Sequence, residues 1–596
     1  MRMDLVPRYR WLSKARGRLL VACLQMVGLA GLSLAQTSGT WTNTTSGGAW
    51  SVSDNWEGGI VADGSGSTGL FNTVNITTDN TVHFDAPRTL GNLTFGDTAT
   101  NTPAGWILDN NGSALNILTL AGTTPTITVN PLGTNSWDRS ATISAEIAGG
   151  GGLIKAGVGV LTLTASNTFS GMTTVTNRGI LAISNPNALG STNGGTTVAD
   201  GQLRLIGGIT VAGEALTLSG NYSDAMGRGA LRSHSGSNIW AGPITIAGSA
   251  EAWITAAGGP MTLTGGITGT NRNLRLDQGN QIVTGNPITL GNGQLAVNST
   301  TRLAVSGNTF STLRVDWGGD LRAEVAGAIP TNAIVYLGTS GPASAGRGIL
   351  NLSGNDMTIA RLLDGGTNYL NEVVQNLSGT AATLTINQPV NTTYLGRIAG
   401  NLGLIKGAAG TLTLGGSNSY SGATTVSNGI LRVNGLHLGG GLYTVASGAT
   451  LGGTGLISAA LHSVSGGVVA PGNSIGTLTF NGDADLDGIL KIELDSSGFG
   501  SGDVLSVTGS LDISAATVDF DLLGGALDDD AYVFAEYGAL VGTFADILDA
   551  PDGYQINYAY NGNHIALVIP EPATLSLLLV GALGLLFHVR RKKGAR

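Results

Sequence analysis

The sequence contains one cysteine, few aromatic residues and little charge. Its 596 residues are 5% aromatic and 11% charged, whereas a typical soluble domain carries about 25% charged residues. Cys23 lies in an N-terminal segment that we predict is removed, so the mature chain has no disulfide and no thiol chemistry. Helical periodicity is also lacking between residues 36 and 569, which argues against a helical enzyme. Instead, 95 glycines and 42% hydrophobic residues in short runs predict packed β-structure with many turns rather than disorder.

Basic side chains are scarce in the body of the chain. Of the 29 Lys and Arg residues, 11 lie in two terminal clusters, which leaves 18 basic against 37 acidic side chains in residues 36–572, a net charge of −19. An acidic surface of this kind repels phosphate backbones. We therefore expect no nucleic-acid partner.

The first 35 residues have the pattern of a secretory signal peptide. A basic region precedes "LLVACLQMVGLAGLSL", and small residues lead up to Ala35. This pattern predicts cleavage by signal peptidase between Ala35 and Gln36. A lipoprotein-type site at Cys23 is the alternative. Export of a chain without disulfides indicates a bacterial surface or secreted protein.

Two stretches of the body repeat one another. Residues 152–184 read "GLIKAGVGVLTLTASNTFSGMTTVTNRGILAIS" and residues 403–434 read "GLIKGAAGTLTLGGSNSYSGATTVSNGILRVN". Each copy alternates apolar and polar residues in short strands that are separated by Asn, Ser and Gly turns. Short strands of this kind predict an all-β solenoid over residues 36–480, because each coil can bury its apolar face only against the next. Residues 481–569 then form a C-terminal β segment or cap.

The repeat resembles the autotransporter-associated β-strand repeat of bacterial passenger regions. The opening "GTWTNTTSGGAWSVSDNWEGG" and the later "VVAPGNSIGTLTFNGDADLDG" are also similar to segments of such passengers. This resemblance implies a right-handed parallel β-helix exposed at the cell surface. It implies no catalytic activity.

Three aromatic residues, Trp41, Trp50 and Trp56, lie close together near the predicted mature N-terminus. Exposed indoles would stack on sugar rings, whereas buried indoles would close the open end of the solenoid. We predict the buried cap.

The stretch "DADLDG" places Asp483, Asp485 and Asp487 at alternate positions before a glycine, as calcium loops do. Leu494 stands where such a loop requires a glutamate, and an ordinary β-turn explains the same residues. We therefore predict no metal and no cofactor, with calcium at these three aspartates as the alternative. The glycine motif "GSGSTG" and the "GNSIG" motif around Ser474 are not followed by the helices that nucleotide and nucleophile motifs require. We therefore predict no catalytic residue.

The chain ends in "VIPEPATLSLLLVGALGLLFHVRRKKGAR". Residues 573–589 would span about 25 Å as a helix, a minimal transmembrane length. A basic cluster follows and predicts a cytoplasmic C-terminus: Arg590, Arg591, Lys592 and Lys593. Together with Pro570, Glu571 and Pro572, residues 570–596 resemble the PEP-CTERM sorting signal. This resemblance implies transient anchoring in the inner membrane, cleavage by an exosortase-type enzyme, and transfer to the surface or extracellular matrix of a Gram-negative bacterium.

These features predict an exported structural or adhesive protein of the cell surface or biofilm matrix, not an enzyme. The alternative is a β-helix that binds or cleaves extracellular polysaccharide, which would cluster carboxylates or aromatic rings on one face. Regular threonine-rich faces leave ice binding as a third candidate function.

Overall fold

The computed structural model describes residues 36–224, 227–338, 347–366, 371–496 and 501–570. In that part of the chain no helix has the length and apolar character needed to span a membrane. The predicted signal segment up to Ala35, the predicted transmembrane helix 573–589, Glu571, Pro572 and the basic cluster lie outside the described residues.

Parallel strands stacked into long sheets make up nearly all of the described regular structure. Sheet 1 contains eleven strands. In chain order they are Gly39–Thr40, Thr68–Phe71, Asn92–Phe95, Thr126–Val129, Leu153–Ala156, Thr173–Val175, Thr196–Val198, Leu216–Ser219, Ile244–Ala247, Ile267–Thr268 and Ile288–Thr289.

Sheet 2 is the largest and runs the length of the described chain. Its N-terminal strands are Gly48–Ala49, Asn80–His83, Trp106–Asp109, Ser140–Ile143, Val160–Leu163, Gly179–Ile183, Gly201–Ile206, Thr210–Val211, Leu231–Ser235, Asn238–Trp240, Ala252–Leu263, Leu274–Val283 and Gln294–Leu303. Its later strands are Thr312–Val315, Gly319–Ala323, Ile334–Leu337, Gly348–Asn351, Met357–Ile359, Arg361–Asp364, Glu372–Asn376, Ala382–Asn387, Arg397–Gly400, Leu402–Gly407, Ser417–Tyr420, Thr424–Val426, Leu436–His437, Tyr443–Val445, Leu456–Ile457, Leu461–Ser463, Thr477–Phe480, Ala484–Leu486, Val504–Asp512, Ala531–Val541, Gln555–Tyr560 and His564–Val568.

Two smaller sheets and a hairpin complete the architecture. Sheet 3 contains Arg88–Leu90, Leu118–Leu120 and Ile147–Ala148. Sheet 4 contains Thr392–Tyr394, Thr411–Leu414, Gly429–Val433, Ala449–Gly453, Val468–Pro471, Ile489–Asp495, Ser501–Gly502, Thr517–Leu523 and Asp546–Leu548. The hairpin pairs Ser223–Asp224 with Gly227–Arg228. Two three-residue 3₁₀ turns, Ser53–Asn55 and Glu57–Gly59, lie near the N-terminal end of the described chain.

Successive coils pair in register. Val160 lies beside Ile180 in sheet 2, and Thr424 lies beside Tyr443, so a coil takes about 20 residues in these regions. Along Thr411–Leu414 partly exposed and buried residues alternate, as the alternation of the sequence predicts. An all-β, mainly parallel arrangement of this kind is consistent with the predicted β-helix.

Buried asparagines join one coil to the next. The Oδ1 of Asn167 accepts the N–H of Ile147, 20 residues earlier, at 2.8 Å, and its Nδ2 donates to the carbonyl of Ala188 at 2.6 Å. In the second repeat copy, Asn418 accepts the N–H of Ile398, also 20 residues earlier, at 3.0 Å. Since a buried N–H left without an acceptor is costly, these asparagines stabilise the contact between successive coils.

The lysine shared by the two repeat copies is also a structural residue. Lys155 is fully buried, and its Nζ donates to the carbonyls of Ala156 and Gly157 at 2.7 Å each. Lys406 donates in the same way to Gly407 and Ala408 at 2.8 Å. Burial lowers the pKa of Lys155 to about 7. These lysines close the turns after their strands and do not face a surface site.

One continuous hydrophobic core extends from Trp41 to Leu567. At its N-terminal end Trp41, Trp50 and Trp56 are 0%, 0% and 2% exposed, which confirms the predicted burial of the three indoles. At the other end the strands Ala531–Val541, His564–Val568 and Gln555–Tyr560 pair antiparallel. This change of strand direction ends the parallel stack.

Candidate ligand-binding groove

A groove of about 610 Å³ lies on the outer face of sheet 2. Its floor is formed by Ile349 and Val373, which are paired on adjacent strands and are 6% and 7% exposed. Leu377, 70% exposed, and Leu395 add apolar walls. An apolar floor with a few polar groups around it is the usual character of a binding cleft.

Two exposed arginines flank this floor. Arg397 is paired in register with Val373, and Arg347 lies two residues before Ile349. They lie two coils apart and are offset by two residues along the strand direction, so they are separated by more than the roughly 10 Å that two strand spacings span. Within the described residues neither guanidinium takes part in an ion pair, in contrast to the exposed Arg302, whose Nε contacts Glu324 at 2.5 Å. The groove therefore presents two available positive charges on an acidic protein.

One cluster of charged side chains at sheet 2 is paired internally. Arg275 contacts Glu251 at 2.8 Å and Asp316 at 3.7 Å, and Arg314 contacts Asp316 at 2.5 Å. The Trp253 indole donates to Glu251 at 2.7 Å and has the Arg275 guanidinium 5.3 Å from its ring centroid. Because these groups are engaged with one another, the Arg347–Arg397 groove is the better candidate for a ligand.

A pair of carboxyl groups, Asp364 and Glu372, lies near the groove but not in it. Glu372 is fully buried, although its neighbours Asn371 and Val373 line the groove. No N–H or hydroxyl group of the described residues donates to either Glu372 oxygen. Burial first, then the hydrogen bond to Asp364 and its charge, raise the pKa of Glu372 to about 9. Glu372 thus keeps a proton that it shares with Asp364 and has no access to a polymeric substrate.

The candidate calcium ligands lie on one strand of the stack and on the residues directly before and after it. Asp485 belongs to Ala484–Leu486, Asp483 precedes that strand and Asp487 follows it. The Oδ1 of Asp483 accepts the N–H of Ser510 at 2.8 Å. His462 lies beside Asp485, with its Nδ1 3.2 Å from the Asp485 carboxylate.

The predicted processing sites lie at the two ends of the described chain. Gln36 is exposed, and Thr37 makes a bridge to Asp63. Pro570 is exposed and follows the strand His564–Val568. Of the three residues of the predicted cleavage motif, Pro570 is therefore the one whose position is described.

The groove has no signature in any single stretch of the sequence. Arg347, Val373 and Arg397 come from three successive coils, and no short motif joins residues so far apart in the chain. A usable signal was present in the composition, because two arginines beside apolar strands are conspicuous in a body with so few basic residues.

Comparison with known proteins connects the chain to autotransporters. A family model described as the Passenger-associated-transport-repeat matches residues 153–183 and 404–433, which confirms the two predicted repeat copies. The chain is 28% identical over 520 residues to the adhesin BmaC autotransporter of Brucella suis biovar 1 (strain 1330), an alignment that covers 82% of this chain and 14% of that protein. It is 44% identical over 90 residues to an extracellular serine protease of Serratia marcescens, covering 15% of this chain and 8% of that protein.

Proposed function

We propose that this chain is an exported, adhesive surface protein whose body is a right-handed parallel β-helix. The observation that carries this proposal is the likeness to an autotransporter adhesin along 82% of the chain, in a molecule built of stacked parallel strands. A long solenoid presents an extended surface for adhesion and needs no catalytic centre. The mature surface would comprise residues 36–480 and the terminal β segment 481–569.

The groove favours polysaccharide with carboxylate groups as the ligand. Guanidinium groups bind carboxylates through charge-assisted hydrogen bonds, and the apolar floor offers contact area to the faces of sugar rings. Because the body carries a net charge of −19, an acidic polymer is repelled elsewhere on the surface. Binding is thus confined to the positions where arginines are available.

Replacing Arg397 by alanine is expected to weaken binding of the purified chain to polygalacturonate about 10-fold or more, since one charge-assisted hydrogen bond contributes about 1.5–3 kcal/mol. Arg347→Ala should act in the same direction. Biolayer interferometry at two salt concentrations measures both effects. The matched control is Arg302→Ala, which removes an exposed arginine that is already paired with Glu324.

Equal binding of uncharged dextran, or unchanged binding by Arg397→Ala, would reject the acidic ligand and leave the adhesive proposal to other surfaces. Shortening of the bound polygalacturonate, measured by size-exclusion chromatography, would instead support the polysaccharide-cleaving alternative.

Residues 570–596 are proposed to be a cleavable sorting signal. The exposed Pro570 lies two residues beyond the last strand, His564–Val568, and proline restricts the backbone to extended forms that a protease accepts. In this scheme, signal peptidase cuts before Gln36, residues 573–589 hold the protein briefly in the inner membrane, and an exosortase-type enzyme releases it to the surface or matrix.

Mass spectrometry of protein recovered from the producing cells is expected to find a C-terminus near Pro570–Pro572 and an N-terminus at Gln36. A double variant, Pro570→Ala with Pro572→Ala, should retain the tail. Recovery of intact "RRKKGAR" from the mature wild-type protein would exclude sorting by cleavage and leave an anchored adhesin.

A further inference from the structure

One histidine and two aspartates meet on the outer face of two adjacent coils. His462 belongs to the strand Leu461–Ser463 and pairs in register with Asp485, while Asp487 follows the strand of Asp485. The Nδ1 of His462 lies 3.2 Å from the Asp485 Oδ2. Donor atoms of all three side chains lie within 4.8 Å of one another, a spacing that a single ion can bridge.

The three side chains are not held by other strong partners. Within the described residues neither Asp485 nor Asp487 forms an ion pair with a lysine or arginine, and the nearby Lys491 contacts Asp521 instead. The carboxylate of Asp483, by contrast, is already engaged, because it accepts the backbone N–H of Ser510. Two carboxylates this close repel each other unless a cation lies between them.

The imidazole of His462 determines which cations the site prefers. Calcium and magnesium prefer oxygen ligands throughout, whereas one imidazole nitrogen with two carboxylate oxygens suits zinc and other divalent transition metals. Three protein ligands also leave a coordination position open to water or to an outside group.

We propose that His462, Asp485 and Asp487 form a binding site for a divalent transition metal ion, with zinc as the expected occupant. This site differs from the calcium loop that the sequence indicates, because His462 from the preceding coil takes the place of Asp483.

Isothermal titration of the full-length chain, produced without a histidine tag, with ZnCl₂ tests the site. We expect saturable binding of one ion that His462→Ala and Asp487→Asn each weaken at least 10-fold. Titration with CaCl₂ is expected to show at least 10-fold weaker binding. The control is His83→Ala. His83 also pairs with an aspartate on the next coil, Asp109, at 2.6 Å, but among the described residues this pair has no third metal ligand close to it.

Three results would overturn the proposal. They are the absence of saturable zinc binding, loss of zinc binding in His83→Ala rather than His462→Ala, and calcium binding that depends on Asp483 and not on His462. The last result would restore the calcium loop. Circular dichroism of each variant verifies that altered binding does not reflect unfolding.

Discussion

Replacing Trp50 by alanine is expected to lower the free energy of opening of the N-terminal coils by about 3–5 kcal/mol, the usual cost of truncating a buried tryptophan. Trp50 is fully buried, and its indole N–H donates to the Ala62 carbonyl at 2.9 Å. Its ring centroid lies 4.8 Å from that of Trp56 and 5.0 Å from that of Phe84. The substitution therefore leaves a cavity and an unpaired carbonyl in the group that covers the end of the core.

Because a coil of a solenoid contacts only its neighbours, the loss should remain local. Hydrogen exchange followed by mass spectrometry should show faster exchange in peptides from residues 39–110 and unchanged exchange in peptides from residues 424–457. Trp317→Ala is the control, since Trp317 is 51% exposed, and its effect should stay within about 0.5 kcal/mol. A global change, or none, would contradict the role of Trp50 in a local cap.

The indole cap illustrates what the sequence makes predictable. Alternation in strands such as "TLTL", the turn residues and the two repeat copies depend on local chemistry, and the structure reproduces them as Thr411–Leu414 and its neighbours. An open end of a solenoid needs apolar cover, and this requirement predicts the burial of the three tryptophans. Periodic features of this kind are set within one coil.

Features that depend on stacking between coils were not predictable in the same way. The His462–Asp485 pair joins residues whose proximity depends on the exact length of the intervening turn. The same holds for the groove, where Arg397 meets Val373 only because their strands are in register. A shift of one residue in the register of a strand moves its side chains to the opposite face, so these sites require the structure.

The carboxyl pair inside the stack has the largest expected effect on pH dependence. Glu372 is fully buried beside Asp364, and its pKa is raised from 4.5 to about 9 by burial first and by Asp364 second. In the unfolded chain Glu372 ionises near its ordinary pKa, whereas the folded protein keeps it protonated. The contribution of Glu372 to the stability of this region is therefore full below about pH 4.5 and is lost as the pH rises towards 9.

Glu372→Gln is expected to remove this loss. The amide matches the protonated carboxyl in shape and can donate to Asp364, but it does not ionise. Below about pH 4.5 the variant and the wild type should be equally stable. At pH 8 the variant should be more stable by up to about 5 kcal/mol, since a single shifted group changes stability by at most about 1.4 kcal/mol per pH unit above 4.5.

Hydrogen exchange of peptides covering residues 372–400, measured from pH 5 to pH 9 and corrected for the intrinsic rate, gives the local free energy at each pH. Glu57→Gln, at an exposed position in the 3₁₀ turn Glu57–Gly59, should leave the pH dependence of these peptides unchanged. If Glu372→Gln keeps the slope of the wild type, Glu372 is already ionised in the folded protein and the shared proton does not exist. A slope that disappears only in Glu372→Gln places the proton on this carboxyl pair, because Glu372→Gln and Glu57→Gln make the same change of side chain at different positions.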